Sequence, residues 1–141
     1  MKPRIFLDTN VFIYAFEFPH SNSATIITLL NKGELEGITS EKVLEEITLY
    51  FTKHYTIKIA RQYRKYVLET CTIVAHNDVL EEIEKLKEKI KDKDREQLAV
   101  VKKYSIKYLI SYDKDFDPFP EYHTPQKFLK LLTLPHKDTE Y

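Results

Sequence analysis

The 141-residue sequence contains one cysteine, one methionine, two glycines and no tryptophan. A single cysteine, Cys71, excludes an internal disulfide and cannot supply the several sulfur ligands of a metal cluster. No apolar run approaches the roughly 20 residues that a transmembrane helix requires, and the amino terminus lacks the apolar core of a signal peptide. We therefore expect a cytoplasmic protein in which Cys71 is a small buried or strand-edge residue.

The charges of the chain cancel, because 22 Lys and Arg residues are matched by 22 Asp and Glu residues. The overall electrostatic field of the protein therefore does not indicate a nucleic-acid partner.

Hydrophobic residues form 43% of the sequence and charged residues 31%, which is typical of a globular protein. The length predicts a single domain over residues 1–141. Neither of the common glycine-rich phosphate-binding motifs is present, which argues against a nucleotide cofactor.

The most informative stretch lies near the amino terminus, where three apolar residues at 5–7 precede Asp8, Thr9 and Asn10. The apolar run predicts a short strand buried on both faces. An Asp at the carboxyl end of such a strand lies where open α/β sheets build their sites. The alternative is a purely structural one, since Asp, Thr and Asn are all good helix N-caps.

Strand and helix signals alternate along the rest of the chain. Strands are predicted at 5–7, 35–39, 72–75 and 107–111. Helices are predicted at 11–18, 24–31, 40–54, 57–69, 79–90, 95–104 and 125–132. This alternation predicts a three-layer α/β/α domain with a mostly parallel sheet of about four to five strands. Right-handed crossovers would bring the carboxyl ends of the parallel strands to one edge.

The helix at 40–54 separates two adjacent glutamates by their orientation. Its apolar residues recur at helical spacing and form one stripe. At about 100° per residue, Glu45 points away from this stripe and Glu46 lies at its edge. We therefore expect Glu45 to be solvated and Glu46 to lie against the body of the protein.

Four acidic residues occupy related places in this arrangement: Asp8, Glu46, Asp94 and Asp113. Each has a structural alternative, as a cap, a surface charge or a turn former. Together, however, four crowded carboxylates would raise one another's pKa unless a cation neutralised them. Oxygen ligands without His or Cys suit Mg²⁺ or Mn²⁺, which are the ions of phosphodiester hydrolysis.

The helix at 57–69 is the best candidate for a local basic surface. It carries four basic residues alongside Tyr63 and Tyr66, and these are Lys58, Arg61, Arg64 and Lys65. Basic side chains interleaved with aromatic ones suit unpaired RNA, whose backbone is anionic and whose bases stack. The alternative is an ordinary solvated face of an amphipathic helix.

The sequence resembles the PIN domain family, which includes the VapC toxins of prokaryotic toxin–antitoxin pairs. The resemblance covers nearly the whole chain and rests on the order and spacing of five stretches: 6–10, 43–47, 94–99, 108–116 and 124–129. The first gives an apolar strand followed by Asp8-Thr9-Asn10, and the fourth gives a strand ending in Ser111, a spacer and Asp113. The spacer is Tyr112, where family members often carry Gly.

The resemblance implies a divalent-metal-dependent endoribonuclease that cuts single-stranded RNA. It implies metal ligation and catalysis by Asp8, Glu46, Asp94 and Asp113, with Asn10 and Ser111 orienting the carboxylates or a water molecule. Asp92 is an alternative to Asp94, and Asp115 or Asp117 could also join the site. The resemblance further implies a homodimer and, if the protein is the toxin of a type II pair, an antitoxin partner.

The alternative is a PIN-fold module that binds RNA or protein and cuts weakly or not at all. A degenerate site of that kind usually lacks carboxylates, and all four are present here. Two other α/β classes with an Asp at a strand end fit poorly. A haloacid-dehalogenase-type phosphatase would have a second Asp at the position of Asn10, and a response-regulator receiver would have an acidic pair before its phosphorylated Asp.

Overall fold

The computed structural model describes residues 2–141 and has a five-stranded parallel sheet at its centre. The strands are β1 (Arg4–Leu7), β2 (Glu36–Ser40), β3 (Cys71–Val74), β4 (Tyr108–Ile110) and β5 (Tyr122–His123). Their order across the sheet is β3-β2-β1-β4-β5, and every neighbouring pair is parallel. This confirms the predicted fold class. The two-residue strand β5 was not predicted, because it is too short to show periodicity.

Residues 2–141 form seven α-helices, of which the first six lie between strands in the chain and the last follows β5: α1 (Thr9–Glu17), α2 (Asn22–Asn31), α3 (Glu41–His54), α4 (Ile57–Thr70), α5 (Leu80–Lys85), α6 (Asp92–Lys103) and α7 (Pro125–Leu131). Ile5, Phe6 and Leu7 of the central strand are all completely buried. Because successive side chains of a strand point to opposite faces, helices must cover both faces of the sheet. The three-layer arrangement follows from this burial.

Most helices begin at a hydroxyl or carboxylate cap that the sequence supplies next to a strand or loop. The Ser40 hydroxyl, directly after β2, accepts a hydrogen bond from the Val43 N–H that begins α3. Asp8 stands at the equivalent place after β1, where its carboxylate accepts from the Thr9 N–H. Asp8 is therefore a helix cap, as its structural alternative predicts, and this does not prevent its other oxygen from having a second partner.

The helix predicted over 79–90 is shorter than expected, since its α-helical part ends at Lys85. The periodic residues Leu86 and Ile90 are buried as the pattern indicates, but they lie in consecutive turns. The Arg95 guanidinium donates to the carbonyls of Lys87 and Ile90. These bonds stabilise the turns in place of helical hydrogen bonds, so hydrophobic periodicity located the buried face and overestimated the helix.

The segment at 137–141 folds back onto the start of α2 through one buried side chain. Asn22 accepts from the Lys137 N–H and donates through its amide to the carbonyls of Lys137 and Thr139. Tyr141 then packs against Tyr14 and Tyr112, with ring centroids 4.9 and 5.2 Å apart. The segment therefore covers the outer side of the turn that carries Tyr112.

Cys71 lies in the edge strand β3 and is buried, as predicted. Burial raises the pKa of its thiol to about 12, which keeps the thiol protonated and unreactive at neutral pH.

Within residues 2–141, no helix combines the length and the apolar character needed to cross a bilayer.

Candidate metal centre

The candidate site begins where the adjacent parallel strands β1 and β4 end. Leu7 pairs with Ile110, and the Asp8 N–H donates to the Ile110 carbonyl at 3.1 Å. The next residue of each strand, Asp8 and Ser111, is buried. The sheet itself therefore brings a carboxylate and a hydroxyl from distant parts of the chain to one point.

Ser111 connects the first acid to the last. Its hydroxyl donates to Asp8 Oδ2 at 2.7 Å and accepts from the Asp113 N–H at 3.0 Å. Asn10 completes the arrangement, because its amide donates to Ser111 Oγ at 3.5 Å and its carbonyl oxygen accepts from the Tyr112 N–H. Ser111 thus uses its single proton and both lone pairs to orient its neighbours.

Glu46 reaches the same edge from α3 and is joined to the Asp8 region by Thr9. The Thr9 hydroxyl donates to Glu46 Oε1 at 2.7 Å. Glu46 is half-buried, whereas its neighbour Glu45 is exposed. The predicted difference in orientation between the two glutamates is confirmed.

Three further carboxylates converge beside Asp8 and Glu46. They belong to Asp94, Asp113 and Asp115. One oxygen from each lies within 4.8 Å of the others. Asp113 Oδ1 accepts from the Asp115 N–H at 2.9 Å, which folds the turn so that both side chains share one side. We refer to Asp94, Asp113 and Asp115 as the acid cluster.

The structure distinguishes Asp94 from Asp92, its alternative in the sequence, and Asp115 from Asp117, the two further acids that could join the site. Asp94 is only 3% exposed. The Asp92 side chain is 93% exposed and forms an ion pair with Arg95 instead. Asp117 is exposed and lies outside the acid cluster, whereas Asp115 lies within it.

A single ammonium group contacts all three acids of the cluster. Lys93 Nζ lies 2.6 Å from Asp113 Oδ2, 2.9 Å from Asp94 Oδ2 and 3.3 Å from Asp115 Oδ2. A side chain of the protein itself thus places a positive charge between the three acids. Sequence reasoning missed Lys93, because it lies in an alternating Lys-Asp run that is typical of a solvated turn.

Burial and crowding shift the pKa values of these acids in different directions. Burial raises the pKa of Asp8, and the bonds from Ser111 and Thr9 only partly oppose it. Burial and the neighbouring Asp113 raise the pKa of Asp94 to about 6, against the opposing effect of Lys93. Burial also acts on Asp113, but the bonds from Lys93 and the Asp115 N–H outweigh it and lower the pKa. Asp94 therefore takes up a proton more readily than Asp113.

The donor set fits a hard divalent cation. The clustered ligand atoms are all carboxylate oxygens, which Mg²⁺ and Mn²⁺ prefer. The ammonium of Lys93 occupies the place of a metal cation, since it contacts one carboxylate oxygen of each of the three acids. The pKa of Asp94 is raised by burial first and also by the charge of Asp113, although Lys93 opposes both.

The sequence did not predict the contacts of two other residues near the acids, Thr9 and Gln97. Thr9 was considered only as a cap, and its bond to Glu46 depends on how α1 and α3 pack. Gln97 is 2% exposed on α6, and its Oε1 has no hydrogen-bond partner among residues 2–141. Gln97 lies in a continuous buried run from Glu96 to Val101, where a polar side chain is costly unless it has a partner, and the structure rather than the sequence shows this burial.

The four basic residues predicted to contact RNA lie on α4. They are largely exposed, and Lys65 forms an ion pair of 3.8 Å with Glu69. In the described part of the chain, none of the four forms an ion pair or hydrogen bond with the acid cluster. The α4 helix packs on α3 and directs Tyr63 inward, where its hydroxyl donates to the Phe12 carbonyl. Tyr63 is thus a packing residue, and the basic face remains a prediction.

Comparison with solved structures shows the same fold in several toxin–antitoxin systems. A chain of a toxin–antitoxin complex from Klebsiella pneumoniae superimposes with a TM-score of 0.68 at 22% identity, covering 86% of this chain and 97% of that one. VapBC2 from Rickettsia felis, bound to a DNA fragment from its promoter, gives 0.61 at 17% identity, with 86% and 98% covered. VapC20 from Mycobacterium tuberculosis, a sarcin–ricin-loop-cleaving toxin, gives 0.62 at 19% identity, with 81% and 93% covered.

These identities are low enough that the superpositions establish the fold alone. The sequence matches none of the curated proteins with which it was compared. The PIN domain family model, in contrast, matches residues 5–121, which include both strands of the site, α3, α6 and the acid cluster. The chain therefore belongs to the PIN domain family.

Proposed function

We propose that this protein is a divalent-metal-dependent endoribonuclease that hydrolyses phosphodiester bonds of single-stranded RNA. The observation that carries the proposal is the convergence of acids at the carboxyl edge of the sheet. Asp94, Asp113 and Asp115 come within 4.8 Å of one another, and Ser111 ties Asp8 to the same turn. The membership of the chain in the PIN family and the named activity of VapC20 as a loop-cleaving toxin support it.

In this proposal Asp8, Glu46, Asp94 and Asp113 would hold Mg²⁺ or Mn²⁺, with Asp115 as a further candidate. A bound ion of this kind lowers the pKa of an attacking water and neutralises charge on the phosphate. Ser111 and Asn10 orient Asp8 and the Asp113 turn through the bonds described above. Such supporting bonds hold ligand oxygens in the orientation that a metal requires.

RNA binding would use positive charge outside the acid cluster. Lys58, Arg61 and Lys65 on α4 are exposed and Arg64 is half-buried, so they can contact backbone phosphates. The overall charge of zero makes such a local surface more important, because long-range attraction of RNA is weak.

The test is cleavage of a labelled single-stranded RNA in the presence of Mn²⁺ or Mg²⁺. We expect cleavage by the wild-type protein, none in EDTA, and none by the Asp8→Asn variant, whose amide can still accept the capping bond from Thr9. Asp92→Asn is the matched control, because Asp92 is an exposed acid outside the cluster and should cut normally. Unchanged cleavage by Asp8→Asn, or cleavage in EDTA, would overturn the proposal.

We further propose that the protein is the toxin of a type II toxin–antitoxin pair, since two of the solved relatives are toxin–antitoxin assemblies. The implied partners are a second copy of the chain and a small antitoxin protein. The gene of a toxin should lie beside a small open reading frame for a DNA-binding protein. Expression in a bacterial host should arrest growth for the wild type and not for Asp8→Asn, and unimpaired growth with the wild type would contradict the toxin role.

A further inference from the structure

Lys93 holds a position that a divalent ion would need. Its ammonium lies 2.6–3.3 Å from the Oδ2 atoms of the three clustered acids. The ligand atoms of these acids lie within 4.8 Å of one another, so the space between them accommodates one cation. The ammonium and a metal ion contacting the same oxygens cannot occupy it together.

We propose that Lys93 is a tethered counter-ion that assembles the acid cluster without metal and must be displaced when a divalent ion binds. The inference rests on the metal site proposed above. It assigns to this chain a built-in competitor, which raises the concentration of divalent ion at which the site is loaded.

The surroundings of Lys93 allow its side chain to leave without moving the helix that carries it. The side chain is 56% exposed, so a released ammonium enters water. The main chain of Lys93 is held independently, because Lys42 Nζ donates to the Lys93 carbonyl at 2.6 Å. Displacement therefore requires only rotation about the bonds of a long flexible side chain.

The charge balance favours exchange of the ammonium for a divalent ion. Asp113 and Asp115 are half-buried and Asp94 is buried, so three carboxylates face one full positive charge. Lys91 adds a second, weaker contact, with its Nζ 3.5 Å from Asp115 Oδ2 and its side chain 71% exposed. An ion with two charges compensates the carboxylates better than the ammonium does, and the ammonium opposes its entry.

The test is calorimetric titration of MnCl₂ into the wild-type protein and three variants. Lys93→Gln removes the charge and should bind Mn²⁺ about tenfold more tightly, since three solvent-accessible ion pairs no longer compete. Lys93→Arg keeps the charge and should remain closer to the wild type. Lys91→Gln, the matched control at the rim, should change the affinity by about twofold or less.

A second measurement does not depend on activity or on the titration. Thermal unfolding in EDTA should show a lower Tm for Lys93→Gln than for the wild type, because the acids then repel one another without compensation. Addition of Mn²⁺ should raise the Tm of Lys93→Gln by more than that of the wild type. Equal or weaker Mn²⁺ binding by Lys93→Gln would overturn the competition.

The outcomes separate this inference from the nuclease proposal. Wild-type protein that binds Mn²⁺ and cuts RNA, with Lys93→Gln unchanged in affinity, would refute the role of Lys93 alone. Failure of both proteins to bind Mn²⁺ would refute the metal site and, with it, the competition.

Discussion

The Ser111 hydroxyl donates a 2.7 Å hydrogen bond to Asp8 Oδ2, joining residues 103 positions apart at the ends of two adjacent strands. Ser111 Oγ also accepts from the Asp113 N–H, so one buried side chain positions two acids. Because β1 and β4 pair in parallel, residues that are distant in sequence lie side by side where the two strands end. This arrangement also makes Ser111 a sensitive place at which to disturb the site without removing a carboxylate.

The substitution Ser111→Ala should weaken both metal binding and the stability of the fold. The change leaves one Asp8 oxygen and the Asp113 N–H without this partner, and we expect a stability loss of about 1–3 kcal/mol. We expect Mn²⁺ affinity to fall by roughly 10- to 100-fold, as is usual when a residue that orients a metal ligand is lost. Urea unfolding and calorimetry measure the two effects.

Ser23→Ala is the matched control for Ser111→Ala. Ser23 is equally buried, but among residues 2–141 its hydroxyl bonds only the Tyr112 hydroxyl, at 2.6 Å. It should lose stability with little change in Mn²⁺ affinity. A similar loss of affinity in both serine variants would show that the effect of Ser111 is general destabilisation.

The adjacent glutamates of α3 provide a paired test of the site. Glu46→Gln removes a carboxylate charge that Thr9 holds at the acid edge, and we expect RNA cleavage to fall by at least about tenfold. Glu45→Gln changes the same charge on the exposed side of the helix and should leave cleavage unaffected. Equal rates for the two variants would exclude Glu46 from the site.

The metal-free protein should show a pH dependence of stability that comes from Asp94. Its pKa in the folded protein is about 6, above the ordinary value of 3.8, so the folded state binds the proton more tightly than the unfolded state. The resulting stabilisation is complete below about pH 4 and is lost as the pH rises through 6. Protonated Asp94 is thus favoured by folding, and ionised Asp94 is not.

Comparison with Asp94→Asn isolates this contribution. In EDTA, the free energy of unfolding of the wild type, relative to that of the variant, should fall by about 1–3 kcal/mol between pH 4 and 7. Urea unfolding at several pH values measures it. A difference that stays constant or rises with pH would contradict the assigned shift of the Asp94 pKa.

The sequence predicted the parts of the site that depend on local pattern and strand order. Asp8 and Asp113 follow apolar strands, and parallel pairing places both at one edge. Helical periodicity alone selected Glu46 over Glu45. These features need only side-chain period and the direction of the strands, which sequence patterns carry.

The remaining features depend on tertiary contacts that no local pattern encodes. Lys93 lies in a run of alternating charges, and its contacts with the acids depend on the way α6 meets the Asp113 turn. Arg95 stabilises the turns that end α5 early, through bonds to the carbonyls of Ile90 and Lys87. Asn22 fixes the segment at 137–141 across 115 residues. The Lys93 and Asn22 contacts join polar groups that are distant in sequence, and the Arg95 contacts are side-chain-to-backbone bonds that hydrophobic periodicity does not show.

The most direct test of the account is a crystal structure of the protein grown with MnCl₂, with data collected to locate manganese by its anomalous scattering. We predict an anomalous peak in contact with the carboxylates of Asp94 and Asp113, with Lys93 Nζ moved out of the acid cluster. A map with no peak at this edge of the sheet, and with Lys93 still bonded to all three acids at saturating Mn²⁺, would contradict it.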